Sequence, residues 1–249
     1  MMDSTPQESL DSKHPLIGDT APAFDAETTE GPIHFPKDYT GKWVVLFSHP
    51  ADFTPVCTTE FIAFSQLVEE CHKLNTELIG LSVDSLSSHI AWLYAIQEQV
   101  CFRGLSNIKI TFPLIADLSQ TIARRYGMIH PKVNKNKTIR AVFFIDPDGI
   151  IRTILYYPIS TGRNFHEIMR ILTSLQTTDA FDVKTPANWE EGDDVIQNPP
   201  DTLCDAEMAG QHSQQGEGVW FLSLRPLSRK NIRKKIGRKA TPQGRRSKI

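Results

Sequence analysis

The chain has 249 residues, 40% of them hydrophobic, with 27 basic and 29 acidic side chains and a net charge of −2. Such a length and apolar share can bury a full core in one domain of about 160 to 200 residues with extra segments. Four cysteines without regular spacing, no Cys-x-x-Cys and no metal-type Cys/His pairing argue against a disulfide framework or a metal site, and no run approaches a membrane span.

Met1 to His14 is polar, carries Asp3, Glu8 and Asp11, and lacks the apolar core of a signal peptide, so a cytoplasmic protein is expected. The apolar, β-branched run Trp43 to Phe47 predicts a buried strand. Pro55 to Leu74 then shows helical periodicity, with Phe61, Phe64, Leu67, Val68, Cys71 and Leu74 on one side. Leu78 to Val83 reads as a strand and Leu86 to Val100 as an amphipathic helix capped by Asp84-Ser85. A helix over Ser119 to Tyr126 follows. Two strands, Ala141 to Ile145 and Ile150 to Tyr156, are joined by the turn Asp146-Pro147-Asp148-Gly149, and a helix covers Asn164 to Leu175. The alternation predicts an α/β fold with a central mixed sheet flanked by helices.

Between the first strand and helix lies His49-Pro50-Ala51-Asp52-Phe53-Thr54-Pro55-Val56-Cys57-Thr58-Thr59-Glu60. Thr54 suits an N-cap and Pro55 the first helical position, where its missing N–H costs nothing. Cys57 therefore falls in the first helical turn. Unpaired backbone N–H groups and the positive end of the helix dipole favour an anion there, so a reactive thiolate is expected rather than an inert core thiol.

Pro50-x-x-x-Thr54-x-x-Cys57 resembles the active-site signature of the peroxiredoxins. The longer string from Phe47 to Glu60 resembles the peroxiredoxin 6, or 1-Cys, subfamily, and three separated stretches agree: Arg140 to Gly149, Tyr156-Tyr157-Pro158, and Thr161 to Phe165. The resemblance runs from about Leu16 to Pro200. It implies a thioredoxin-like fold with a C-terminal dimerisation arm, no cofactor, and a thiol-dependent peroxidase reducing hydrogen peroxide and organic hydroperoxides. On this pattern Cys57 is the nucleophile, oxidised to a sulfenic acid, and Arg140 is the cation beside the sulfur. Thr54 offers a hydroxyl to sulfur or peroxide, and Pro50 limits water access. Glu60 orients an arginine, Arg163 is a second cationic contact, and His49 lines the pocket. An external thiol of the glutathione or thioredoxin type would recycle the enzyme, serving antioxidant defence and redox homeostasis. The contrasting reading is a non-enzymatic redox sensor or holdase on the same fold. Animal members of the subfamily also carry a lipase-like triad, but here Lys42 stands at the serine position and Pro36 at the histidine position; only Asp148 matches. Phospholipase activity is therefore not implied.

Cys71 lies fourteen residues beyond Cys57 on the same expected helix, roughly 20 Å away at the helical rise, and reads as core. Cys101 ends the next helix. Cys204, after Asn198-Pro199-Pro200, is either a resolving cysteine delivered by a flexible arm or an exposed bystander, and the default cycle is one-cysteine.

These signals divide the chain into a polar extension (1–15), a thioredoxin-like peroxiredoxin domain (16–176), a C-terminal arm (177–224) and a basic tail (225–249). Trp189 anchors the arm either against a partner in a homodimer or higher oligomer, or within its own subunit. The tail holds eleven Lys or Arg and no acid, leaving the first 224 residues with sixteen basic against twenty-nine acidic residues, a net −13. Its charge predicts disorder. Nuclear targeting, attachment to nucleic acid or an anionic surface, docking to an acidic protein body, and a tolerated extension all remain open for it.

Overall fold

The computed structural model describes residues 14–200, 202–203, 219 and 221–237. Its main strands, in chain order, are Phe24–Thr28 (β1), Gly31–Phe35 (β2), Trp43–Ser48 (β3), Thr76–Ser82 (β4), Leu114–Ala116 (β5), Arg140–Ile145 (β6) and Ile151–Tyr157 (β7). They form one sheet in the order β2-β1-β5-β4-β3-β6-β7. β3 lies inside the sheet between β4 and β6, and all six of its residues, apolar or small enough to bury, are buried. A strand of this composition needs cover on both faces. Val45 and Phe47 enter one apolar cluster with Phe61, Phe64 and Trp92, while Val44 and Leu46 enter the other with Ile79, Leu81 and Phe143. β4 runs parallel to β3 and β6 antiparallel, so the sheet is mixed as expected. Gly80 on β4 is required by packing: a Cβ there would lie 2.9 Å from the Leu114 side chain and 3.2 Å from the Phe47 ring.

The helices are Pro55–Ser65 (α1), Val68–Lys73 (α2), Leu86–Gln99 (α3), Thr121–Arg125 (α4), Phe165–Phe181 (α5) and Arg229–Gly237 (α6). Ser85 caps α3 by accepting the Ser88 N–H, and Asn164 caps α5 by accepting from His166 and Glu167. Among the described residues no helix is long and apolar enough to cross a membrane.

The structure departs from or adds to the sequence reading at four points. The helix expected over Pro55 to Leu74 is broken between α1 and α2, where the Ser65 hydroxyl donates to the Ile62 carbonyl at 2.7 Å and the chain tightens through Leu67 N–H to Phe64 O. A serine hydroxyl that satisfies a backbone carbonyl locally competes with helix continuation. The straight-helix distance between Cys57 and Cys71 therefore does not apply, although Cys71 is core: burial pushes its thiol up to about 12, and its sulfur lies 3.8 Å from that of Met169. Second, the β1–β2 hairpin and β5 carry no strong pattern; their order comes from pairing, Thr28 opposite Ile115. Third, α5 continues six residues past Leu175, to Phe181. Fourth, the tail is not wholly disordered. Ile232 and Ile236, one helical turn apart on α6, are buried with Leu227 in the cluster that includes Leu172 of α5. Arg233 pairs with Glu191 and Glu70. Charge repulsion within the tail is thus opposed by burial and by acids of the body. Residues 238–249 lie outside the described part.

In the arm, Trp189 is buried in its own chain and donates Nε1–H to the Asp193 carbonyl at 3.2 Å. Val195–Ile196 (β8) pairs antiparallel with Leu224–Arg225 (β9).

Candidate active site

β3 ends at Ser48, and the chain then turns through residues 49–54 into α1. Phe53 sits at φ 53°, the left-handed region, a strained geometry of order 1 kcal/mol or more for a bulky residue. Thr54 is the N-cap in extended conformation and Pro55 the first helical residue, as the sequence predicts. The first α-helical bond in this turn runs from Thr58 N–H to Thr54 O at 3.0 Å. Val56 and Cys57 thus have N–H groups without an acceptor inside the helix.

Cys57 is fully buried, and Arg140 Nη1, from the first residue of β6, lies 3.3 Å from its sulfur. The same Nη1 donates to Glu60 Oε2 at 2.7 Å, while Arg140 Nε and Nη2 donate to the Ile159 carbonyl at 3.0 and 2.8 Å. Glu60 also accepts from the backbone N–H and Nε of Arg163 on Oε1, at 2.8 and 3.0 Å, and from Arg163 Nη2 on Oε2 at 2.6 Å. Arg163 Nη1 is held by the carbonyls of Ser48 and Ala141. Its guanidinium carbon is 5.2 Å from the ring centroids of both Phe47 and Phe64. Burial pushes the Arg163 guanidinium down, and the Glu60 carboxylate opposes that. Two guanidiniums and one carboxylate leave one uncompensated positive charge beside a buried sulfur. Arg140 is thus placed to counter negative charge that develops on that sulfur.

The structure therefore brings together Cys57, Arg140, Glu60 and Arg163. The Thr54 hydroxyl donates to the Ala51 carbonyl at 2.8 Å, and Pro50 is buried. Cys204 lies outside the described residues. Cys101 is exposed and lines a cavity of about 450 Å³ with Thr54, Pro55, Thr58 and Trp92; Cys57 is not among its walls.

Sequence reading missed the partners of His49. Its Nε2 faces Asp52 Oδ1 at 3.1 Å, Asp52 also meets His89 Nδ1 at 2.8 Å, and the Ser88 hydroxyl donates to Asp52 at 2.8 Å. His89 Nε2 faces the Ile115 carbonyl at 3.1 Å, whereas His49 Nδ1 is buried without a partner. One signal was available: His89, Trp92 and Ile96 form the buried face of α3, so a polar residue stands in an apolar stripe. Ligand atoms of His49, Asp52 and Asp84 could also approach a cation together. Asp84 Oδ2 already accepts from Asp52 N–H and the Ser82 hydroxyl, and a metal would have to displace these bonds.

This cluster makes stability depend on pH. Burial pushes the His49 imidazole down, outweighing the hydrogen bond and charge of Asp52. Burial alone would raise the Asp52 carboxyl, but hydrogen bonds from His49 and His89 hold it down to about 2. Both groups bind protons more readily in the unfolded chain, so both contribute stability that is lost as pH falls. His49 acts below its unfolded value near 6.5, and Asp52 below about 4. Thermal unfolding should therefore show stability falling by up to about 1.4 kcal/mol per pH unit from His49 alone between pH 6.5 and 5. A His49→Gln variant should lose that part of the slope; an unchanged slope would contradict the assignment.

The sequence profile of the AhpC/TSA family matches residues 17–154, and that of the C-terminal domain of 1-Cys peroxiredoxin matches residues 174–207. A peroxiredoxin of Methanosarcina mazei is 53% identical over 218 residues, covering 87% of this chain and 100% of the relative. One from Aquifex aeolicus is 52% identical over 202 residues, covering 77% and 88% respectively. Among solved structures, a cysteine-to-serine mutant of peroxiredoxin 6 from Arenicola marina superposes with a TM-score of 0.72 at 35% identity, covering 85% of this chain and 98% of that one. The yeast mitochondrial 1-Cys peroxiredoxin gives 0.71 at 38%, covering 86% and 100%. With the buried cysteine at the start of α1, the arginine beside its sulfur and matches running from the sheet into the arm, the chain belongs to the peroxiredoxin family, with the thioredoxin-like fold and C-terminal domain of its 1-Cys members.

Proposed function

We propose that Cys57 is the nucleophile through which this thiol-dependent peroxidase reduces hydrogen peroxide and small organic hydroperoxides. Peroxide reduction by thiols is the activity of the family. The observation that carries the assignment is Arg140 Nη1 at 3.3 Å from the Cys57 sulfur, backed by the Glu60–Arg163 pair. The thiolate attacks one peroxide oxygen, the O–O bond breaks, and the departing hydroxide or alkoxide takes a proton to leave as water or alcohol. Arg140 donates to sulfur at the start and is positioned to donate to oxygen as charge moves off sulfur. Glu60 and the Ile159 carbonyl keep its guanidinium from reorienting. Thr54, at the helix start, and Pro50, in the turn before it, bound the space where peroxide meets sulfur, and His49 completes its wall.

The sulfenic acid then condenses with an external thiol, releasing water, and a second thiol exchanges to free Cys57 as a disulfide leaves. The yeast relative, whose thiol resolution proceeds through glutathione and thioredoxin systems, supports a reductant of either type. A homodimer built through the 177–224 arm belongs to the same reading, supported by the match to the 1-Cys C-terminal domain.

Intact mass under denaturing, thiol-blocked conditions after one equivalent of hydrogen peroxide tests the one-cysteine cycle. A monomer with one added oxygen, or its trapped sulfenate adduct, should form in wild type and in Cys204→Ser, and not in Cys57→Ser. A disulfide requiring both Cys57 and Cys204 would replace this with a two-cysteine cycle.

A further inference from the structure

We propose that Asp52 and His89 are positioning residues for peroxide reduction: together they fix His49 as the tautomer whose Nδ1 is a bare acceptor for the O–H of the hydroperoxide. This role presupposes the function proposed above, with Cys57 attacking peroxide beside a wall that includes His49. The acceptors around the cluster assign its hydrogens. The Ile115 carbonyl, 3.1 Å from His89 Nε2, only accepts, so Nε2 carries a hydrogen. His89 Nδ1 lies 2.8 and 3.0 Å from the two oxygens of Asp52, a carboxylate held down to about 2, therefore ionised and again only an acceptor. His89 thus bears hydrogens on both nitrogens, and the charged pair that it forms with Asp52 is buried. The Ser88 hydroxyl donates to Asp52 Oδ2 at 2.8 Å, and Oδ1 takes the Nε2–H of His49 at 3.1 Å.

Burial pushes the His49 imidazole down against the pull of Asp52 and, more weakly, Asp84, and the charge on His89 adds to burial. His49 is therefore neutral and holds its single hydrogen on Nε2. Nδ1 keeps a lone pair. It is buried without a partner, whereas every other polar side-chain atom of His49, Asp52, Ser88 and His89 is bonded. The ring is pinned: it stacks on Trp92 and meets Phe61 edge-on, at centroid distances of 5.1 and 4.9 Å. Its backbone N–H and carbonyl are held by Leu81 and Thr138. Phe61 and Trp92 pack in the same buried cluster as Cys57. A hydroperoxide carries its hydrogen on the terminal oxygen, the one that sulfur attacks. An acceptor on the wall selects that end, while Arg140 donates to the other oxygen, where negative charge develops. As the S–O bond forms, the O–O electron pair leaves on the second oxygen, which takes a proton from water, and the attacked oxygen keeps its hydrogen as the sulfenic O–H. Nδ1 accepts from that hydrogen before and after the step.

Two measurements on the full-length protein test this. Nitrogen-15 NMR of wild-type protein labelled at histidine reads the tautomer: the signal that disappears in His49→Gln should show a protonated Nε2 and an unprotonated Nδ1. Single turnovers with hydrogen peroxide and no reductant, quenched with a thiol-blocking reagent, read the rate at which the Cys57 thiol is lost. Asp52→Ala, which removes the acceptor for His49 Nε2–H, should react at least ~10-fold more slowly and lose the single tautomer. Asp52→Asn should return to within ~3-fold of wild type and keep the tautomer, because its amide N–H donates to Nδ1 of a neutral His89 and its carbonyl still accepts from His49. A hydrogen on His49 Nδ1 in the wild-type protein would overturn the proposal even if Asp52→Ala fails to fold. Asp52→Ala reacting at the wild-type rate would also overturn it, as would Asp52→Asn reacting more than ~10-fold below wild type. A wild-type Cys57 thiol that survived peroxide would instead overturn the peroxidase reading itself.

Discussion

Cys57→Ser should abolish peroxide consumption, leaving less than about one thousandth of the wild-type rate. A buried serine keeps its proton, so no anion replaces the thiolate between the helix start and Arg140, and its oxygen cannot displace peroxide oxygen to give a sulfenate. The substitution is close to isosteric, and the hydroxyl can accept the Arg140 hydrogen bond now made to sulfur, so the fold should persist. Following peroxide with excess dithiothreitol checks both the residue and the kind of output. Wild-type protein should turn over many equivalents. A wild-type protein that consumed one equivalent and stopped would be a sensor rather than a peroxidase, and a fully active serine variant would sink the mechanism.

The largest stability effect should come from Glu60→Gln. Glu60 is 2% exposed and is the common acceptor for both arginines. Removing its charge while keeping its size takes away the carboxylate shared by two buried guanidiniums, a loss expected to cost about 3 to 5 kcal/mol. Urea unfolding should show a midpoint shift of that size. In the fraction that remains folded, peroxide consumption should fall at least ~10-fold, because Arg140 loses the carboxylate that aims Nη1 at sulfur. Stability within about 1 kcal/mol of wild type would mean that the carboxylate does not hold the site together.

Several features of this site were legible because they are local. Thr54, Pro55 and Cys57 occupy the N-cap, first and third positions of α1, and such positions are encoded by the φ restriction of proline and by capping chemistry. The central strand was legible as an apolar run, and the Ser85 cap by its position before an amphipathic segment. Arg140, Glu60 and Arg163 could be named through the family pattern. Their hydrogen bonds could not, since these join residues 80 and 103 positions apart. His89 was missed for the same reason: its partner Asp52 is 37 positions away, and nothing around either residue announces the other.

The tail shows where charge alone misleads. Its net charge favours an extended chain, and an isolated helix of nine residues would be marginal in water. Ile232 and Ile236 change the outcome only because Leu227 and the cluster beneath α5 receive them, while Glu70 and Glu191 neutralise Arg233. By itself, the sequence determined the strand–turn–helix that places Cys57, the mixed α/β character and the asymmetry of charge, since each follows from neighbours within a few residues. Tertiary structure decided the charge balance around the sulfur, the break between α1 and α2, the pairing of β1 and β5, and the docking of α6. Each depends on which distant side chains share a desolvated space, and desolvation is a property of the assembled fold.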